Sequence, residues 1–302
     1  MGSDGRDGSF RRLGFAVGIP ALFVVLWSTG FIGARLGLPH AEPLTFLTLR
    51  YGLAAGLLVI ISLATRAPWP KRLIDVAHYA VAGLLVHGVY LGGVFVGISL
   101  GIEAGVSALI VGVQPLLTAA FAGIFLRESV SARQWLGLGI GLLGVSLVLG
   151  GKLGQAPGST LGILACLAAL LGITAGTLYQ KRFCAGMDLR TGSVVQFAVA
   201  ALATAPFALW LEETHVQWTG EFIFALAWLV LVLSLGAVSL LYVLIRRGSA
   251  SNVASLFFLV PPCTALIAWM IFGETLGAWA LIGMVVTTVG VALSTRPAAA
   301  QG

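Results

Sequence analysis

The chain has 302 residues, of which 59% are hydrophobic and only 9% charged. A water-soluble surface needs about 25% charged residues, and a single core stops growing near 250–300 residues, so a soluble globular protein is excluded and lipid is the natural solvent. The net charge of +6 does not indicate nucleic acid, because the basic residues sit in small clusters between long apolar runs.

A helix that crosses hydrocarbon needs about 20 apolar residues. Runs of that kind predict ten spans: 13–34, 43–64, 76–98, 104–126, 134–151, 159–181, 190–211, 221–244, 250–272 and 278–295. The first follows Arg11 and Arg12 as a signal peptide would, but it is too long for one and nine more spans follow. The connections are short and often polar. Placing the N-terminus in the cytoplasm collects Arg6, Arg11, Arg12, Arg66, Lys71, Arg72, Arg127, Arg133, Lys181, Arg182, Arg190, Arg246, Arg247 and Arg296 on the inner side. Arg35 and Lys152 remain outside, and Arg50 falls within the second span. By the positive-inside rule both termini are expected in the cytoplasm. Trp69 and Trp135 near inner span ends, with Trp210, Trp218 and Trp279 near outer ones, form the aromatic belts expected at the two interfaces. Trp27 departs from the belts by sitting deep in the first span.

A shift of 146 residues lays the chain over itself: Gly30 on Gly176, Arg35 on Lys181, Thr45 on Thr191, Pro115 on Pro261, Glu128 on Glu274, Gly137 on Gly283 and Gly144 on Gly290. Spans 1–5 therefore map onto spans 6–10. Five is odd, so the second unit enters the membrane from the opposite side. The fold class expected is an all-α integral membrane protein of ten transmembrane helices in two inverted five-helix repeats, an architecture found among secondary transporters. The division is a tail at 1–12, a first repeat at 13–151, a second at 152–296 and a tail at 297–302.

Two segments carry a family resemblance. Residues 104–149 read AGVSALIVGVQPLLTAAFAGIFLRESVSARQWLGLGIGLLGVSLVL, and residues 249–293 read SASNVASLFFLVPPCTALIAWMIFGETLGAWALIGMVVTTVGVAL. Both have a mid-helix Pro, a Glu thirteen residues later and a glycine-rich last helix. With FVVLWSTGFIGARLG and LTFLTLRYGLAAG in the first two spans, the chain resembles EamA-type ten-helix exporters of the drug/metabolite transporter superfamily, and more loosely bacterial aromatic amino-acid exporters. The resemblance implies alternating access without ATP hydrolysis, in a bacterial inner membrane.

Few groups in the spans can do chemistry. An ionisable residue at lipid depth is costly and faces a cavity or a partner. His87 lies in the middle of span 3, with Tyr90 on the same helical face, and both are expected to bind solute. Ser107 and Gln114 share a face of span 4 and are assigned to the same wall, as are the aromatic residues Trp27, Tyr179, Tyr242 and Phe258. Gly30, Gly176, Pro115, Pro261 and Pro262 are expected at hinges, since an interior Pro removes a backbone bond and kinks a helix. Arg50 is expected to cap carbonyls or pair with a loop acid, and Glu128 and Glu274 to tie helix ends of the two repeats.

The sequence has no GxxxxGK[ST] motif, no metal-ligand spacing and no paired cysteines, so no cofactor or metal is expected. A membrane enzyme would need a reactive constellation that is missing, and a channel fits inverted repeats less well than alternating access. No acid occupies the centre of a span, which favours a gradient-driven facilitator. The solutes expected to be exported are small metabolites, foremost amino acids with aromatic or other apolar side chains. A proton-coupled multidrug or nucleoside exporter of the same architecture is the alternative. Small-xxx-small glycine spacings are explained by packing within one chain, so a monomer is expected over a dimer.

Overall fold

In the computed structural model, residues 18–102, 107, 110–150, 160–272 and 277–295 are described. The two tails, Lys152 and Glu274 lie outside them. Among the described residues the backbone is helical with no strand; its only β pairing is an isolated bridge between Ala41 and Val216.

Ten helices follow in chain order among the described residues. The first repeat comprises α1 (Ile19–Gly37), α2 (Pro43–Ala64), α3 (Leu73–Ser99), α4, whose later part is Gln114–Leu126, and α5 (Ala132–Gly150). The second comprises α6 (Thr160–Phe183), α7 (Leu189–Leu211), α8 (Gly220–Arg247), α9, built from Ala250–Ser255, Leu256–Leu259 and Val260–Phe272, and α10 (Ala278–Thr295). Seven of these (α1, α2, α3, α6, α7, α8 and α9) are long and apolar enough to cross a membrane. The helices run a few residues past the apolar stretches, as at Leu73–Asp75 and Ile245–Arg247. Hydropathy marks where lipid ends, and the hydrogen-bond ladder continues into the interface.

Local chemistry sets the helix starts. Pro43 opens α2 at a position whose N–H has no helical partner in any case. Asp188, Thr219 and Ser249 cap α7, α8 and α9 by accepting from backbone N–H groups of the first turn. The apolar surface is the lipid-facing sheath, with Leu202, Leu209 and Trp210 among its most exposed side chains.

Two irregularities repeat between the two units. Helix α3 is π-helical over Leu84–Leu91 and α8 over Leu229–Ala237, which coincide under the 146-residue shift to within one residue. Helix α4 breaks at residues 112–113 and restarts at Gln114, while α9 tightens to a 3-10 turn at Leu256–Leu259 and restarts at Val260. Pro115, Pro261 and Pro262 were expected to kink continuous helices. They instead occupy the first turns of restarted ones, where a missing N–H costs nothing. The bend lies just before them.

Glycines let the repeats interlock. A Cβ on Gly30 of α1 would lie 3.3 Å from Leu233 in the π segment of α8, and one on Gly176 of α6 would lie 2.6 Å from Val86 in the π segment of α3. The first helix of each repeat thus packs on the irregular segment of the other. Helices α5 and α10 approach at backbone contact, since a Cβ on Gly290 would sit 2.4 Å from the nitrogen of Gly141.

Candidate functional site: a central cavity with one sealed face

Four helices enclose a small cavity of about 40 Å³. Helix α1 contributes Trp27, Gly30, Phe31 and Ala34, one face at helical spacing, and α3 contributes Tyr90, Leu91, Val94 and Phe95 in the same way. Arg50 enters from α2, and Leu233 and Val238 from α8. Trp27 lies nearly parallel to Tyr90, with ring centroids 6.5 Å apart and an interplanar angle of 9°, and meets Phe257 edge-on at 5.4 Å. These contacts fix its rotamer and turn a large aromatic face inward.

Helix α2 reaches both π segments from adjacent residues. The Nε of Arg50 donates to Ser234 Oγ at 3.1 Å, and the hydroxyl of Tyr51 donates to the carbonyl of His87 at 2.9 Å. A π turn displaces carbonyls from the regular ladder, and Tyr51 satisfies one of them. Arg50 forms no ion pair among the described residues, so the loop acid expected as its partner is replaced by a serine hydroxyl and the cavity.

One turn from the cavity along α3 and α8, a polar cluster closes the bundle. Tyr242 donates to Gln196 Oε1 and lies 3.4 Å from His87 Nε2; Gln196 Nε2 donates to Gln180 Oε1 at 2.9 Å and approaches the Met187 sulfur at 3.5 Å. His87 stacks on Phe197 with centroids 4.3 Å apart, and its Nδ1 is buried without a partner. Cys184 and Met187, both 1% exposed, complete the plug in the α6–α7 connection. Lys181 donates to the carbonyls of Ile245 and Gly248, holding the end of α8 against it.

The opposite face is open. Phe31, Arg35, Leu38, Pro39, His40, Ala41 and Glu42 line a vestibule of about 730 Å³ with Pro43, Ile98, Ser99, Glu213, His215 and Gln217. Phe31 lines both vestibule and cavity and separates them. The rim is cross-tied. Gln217 N donates to His40 O at 2.9 Å, and Glu213 N to Glu42 Oε2 at 2.7 Å. Glu212 accepts from the backbone nitrogens of Leu44 and Thr45 at 2.8 and 2.7 Å.

The residues singled out from sequence separate into groups. Trp27, Tyr90 and Gly30 line the cavity, joined by Arg50. His87 and Tyr242 belong to the polar cluster beside it, not to its wall. Gln114 is buried in α4, donating to Thr118 Oγ1 at 3.0 Å with Oε1 unpartnered, and Ser107 accepts from Cys166 Sγ at 3.4 Å; neither reaches the cavity. Phe258 fills the space left by Gly141 of α5. Tyr179 lies in an apolar groove on α4 and α6, its hydroxyl 2.8 Å from His78 Nδ1. Glu128 accepts at both oxygens from Ala250 N, at 3.1 and 3.0 Å, joining the end of α4 to the start of α9. Sequence reasoning missed Phe31, Val94, Phe95 and Leu233. Helical spacing from Trp27 and Tyr90 points to the first three, and the repeat shift carries His87 onto Leu233.

An aromatic cavity between interlocked five-helix units, parted only by Phe31 from an open vestibule on one face and sealed on the other, defines a multi-pass membrane transporter. The EamA-like transporter family matches at residues 15–150 and 160–296, and the chain belongs to it. It is 27% identical to YvbV of Bacillus subtilis, named an uncharacterized transporter, covering 93% of this chain and 92% of that one. It is 25% identical to YedA of Escherichia coli K12, named an uncharacterized inner membrane transporter, over 93% and 91% of the two chains. A Salmonella typhimurium protein named a probable amino-acid metabolite efflux pump is 24% identical over 93% of each. A solved structure 20% identical in sequence shares the fold, with a TM-score of 0.77 over 93% of this chain and 96% of that one.

Proposed function

We propose that this transporter exports small metabolites, foremost amino acids with aromatic or other apolar side chains, by gradient-driven alternating access across a bacterial inner membrane. The observation that carries this is the asymmetry of two equivalent places. The vestibule bounded by Ala41 is open, whereas the place bounded by Met187, its repeat partner, is plugged. Inverted repeats give the exchanged arrangement a similar energy, so exchanging the two conformations moves a solute across.

The positive-inside rule puts the Met187 face and both termini in the cytoplasm. The units at 13–151 and 152–296 then rock about the cavity, with Gly30 and Gly176 at their contacts and the restarted helices at Pro115, Pro261 and Pro262 as flexure points. His87 and Tyr242 serve the inner closure, and Trp27 and Tyr90 the solute. Gln114 and Ser107 support α4. One chain contains the whole cavity, which favours a monomer. The names of two relatives as probable amino-acid metabolite efflux pumps support the substrate class.

Counterflow in proteoliposomes tests this directly. Vesicles preloaded with phenylalanine are expected to accumulate labelled phenylalanine without an imposed ion gradient. Accumulation only when a pH gradient is applied would favour proton coupling, for which His87, buried with a free Nδ1, is the group to examine.

A further inference from the structure

The geometry points to Arg50 as the anchor for a carboxylate on the transported solute, which makes the substrates small carboxylates with an apolar body. This assignment deepens, and rests on, the transport function proposed above. Arg50 is 4% exposed and lines the central cavity. Its one hydrogen bond among the described residues runs from Nε to Ser234, leaving the two terminal amino groups unbonded to protein. No acid among the described residues lines the cavity. A guanidinium at lipid depth is costly unless an anion or several acceptors meet it, and one neutral hydroxyl is a poor match.

The placement suits a ligand better than a packing role. Ser234 takes Nε and fixes the guanidinium plane, so the remaining pair of amino groups presents a fork that matches both oxygens of a carboxylate. The rest of the wall is Trp27, Phe31, Tyr90 and Phe95, which receives an apolar or aromatic body once Phe31 swings aside and joins the small cavity to the vestibule. The repeat partner of Arg50 is Gln196, which is used up in the bonds to Tyr242 and Gln180 that seal the other face. One repeat thus uses this position for closure and the other for charge. With no acid among the described lining residues, an ammonium is not required. A zwitterion would place its amine over an aromatic face, and a 2-oxo acid would lack the amine and still bind.

The test compares phenylalanine, phenylpyruvate, 2-phenylethylamine and phenylalaninamide on purified protein, by counterflow and by thermal unfolding. Wild type is expected to move the two carboxylates about ten- to a hundredfold faster than the amine and amide, the range set by a charge-assisted hydrogen bond. Arg50→Gln is expected to lose that preference, and Arg50→Lys to keep part of it as a point charge. Should Arg50→Gln fail to give a monodisperse protein, Ser234→Ala keeps the charge, frees its plane and raises KM for carboxylates with kcat little changed. Equal movement of carboxylates and amines by wild type, or wild-type carboxylate transport by folded Arg50→Gln, overturns the role of Arg50 and leaves transport standing. If wild type moves none of the four, the transport function fails instead. Thermal unfolding then judges Arg50 alone: a Tm rise with phenylpyruvate, absent with the amine and reduced in Arg50→Lys, supports the anchor, and any other pattern refutes it.

Discussion

The sulfur of Met187 lies 3.5 Å from the amide nitrogen of Gln196, and with this contact the α6–α7 connection closes the bundle below the cavity. Beside it, Cys184 is 1% exposed, and burial pushes its thiol up to about 12 despite the opposing pull of Arg246. The thiol is therefore neutral and hidden across the physiological range. A variant retaining only Cys184 is expected to react slowly with maleimide in membranes, with little acceleration between pH 7 and 9. Replacing Met187 with Ala removes the plug and is expected to raise the rate about tenfold or more, since losing a buried Met side chain costs about 2–5 kcal/mol. Fast labelling of the Met187-containing protein would show that this face is not closed.

Phe31 is the thin wall on the other side. It lines the cavity and the vestibule together, so a solute bound beside Trp27 is covered by its ring. Burying a phenyl group contributes about 1.5–3 kcal/mol. Phe31→Ala is expected to raise KM about tenfold while kcat holds or rises, because the cover is lost without touching Arg50. Unchanged KM in proteoliposomes would remove Phe31 from the path. Phe31→Trp should restore the seal.

The architecture was legible in the sequence because lipid imposes a simple rule: long apolar runs, basic loops on one side and a shared register of 146 residues. The cavity wall was less legible. Polarity as the sign of a site points to His87, Gln114 and Ser107. These residues instead bond to other side chains inside the bundle, His87 to Tyr242, Gln114 to Thr118 and Ser107 to Cys166. The wall itself is mostly apolar, and Phe31, Val94 and Leu233 look like any lipid-facing residue until the helix azimuth is known. Arg50 was visible, but its partner was not. Only the structure shows a serine and a cavity where a loop acid was expected.

Helices α5 and α10 offer a test of packing that is independent of transport. A Cβ on Gly290 would meet the backbone of Gly141 at 2.4 Å, where no side chain can yield, whereas one on Gly139 would meet nothing within 4 Å. Gly290→Ala is expected to lower stability by about 1–3 kcal/mol through overpacking. Gly139→Ala should be neutral or slightly stabilising, since Ala is the better helix former. Thermal unfolding in one detergent measures both. Equal Tm values would mean that the two helices are not in backbone contact.

Asp188 ties the start of α7 and supplies a pH dependence. Its carboxylate accepts from the side chain of Arg190, at 2.9 Å to Oδ2, and from the backbone nitrogens of Arg190 and Thr191. The Arg190 side-chain bond, with those backbone bonds, holds its pKa below the ordinary carboxylate value. The folded state thus prefers the ionised form. The stabilisation is complete above the unfolded-state pKa of about 3.9 and is lost as pH falls through the lower folded value. Asp188→Ala removes the cap and is expected to cost about 1 kcal/mol at pH 7. The difference from wild type should shrink as pH falls below about 4. Asn caps without charge, so Asp188→Asn should fall between the two at pH 7 and show a flatter pH profile. Tm measured from pH 7 down to about pH 3 would decide: a gap between wild type and Asp188→Ala that stays constant would mean the carboxylate charge plays no part in holding α7.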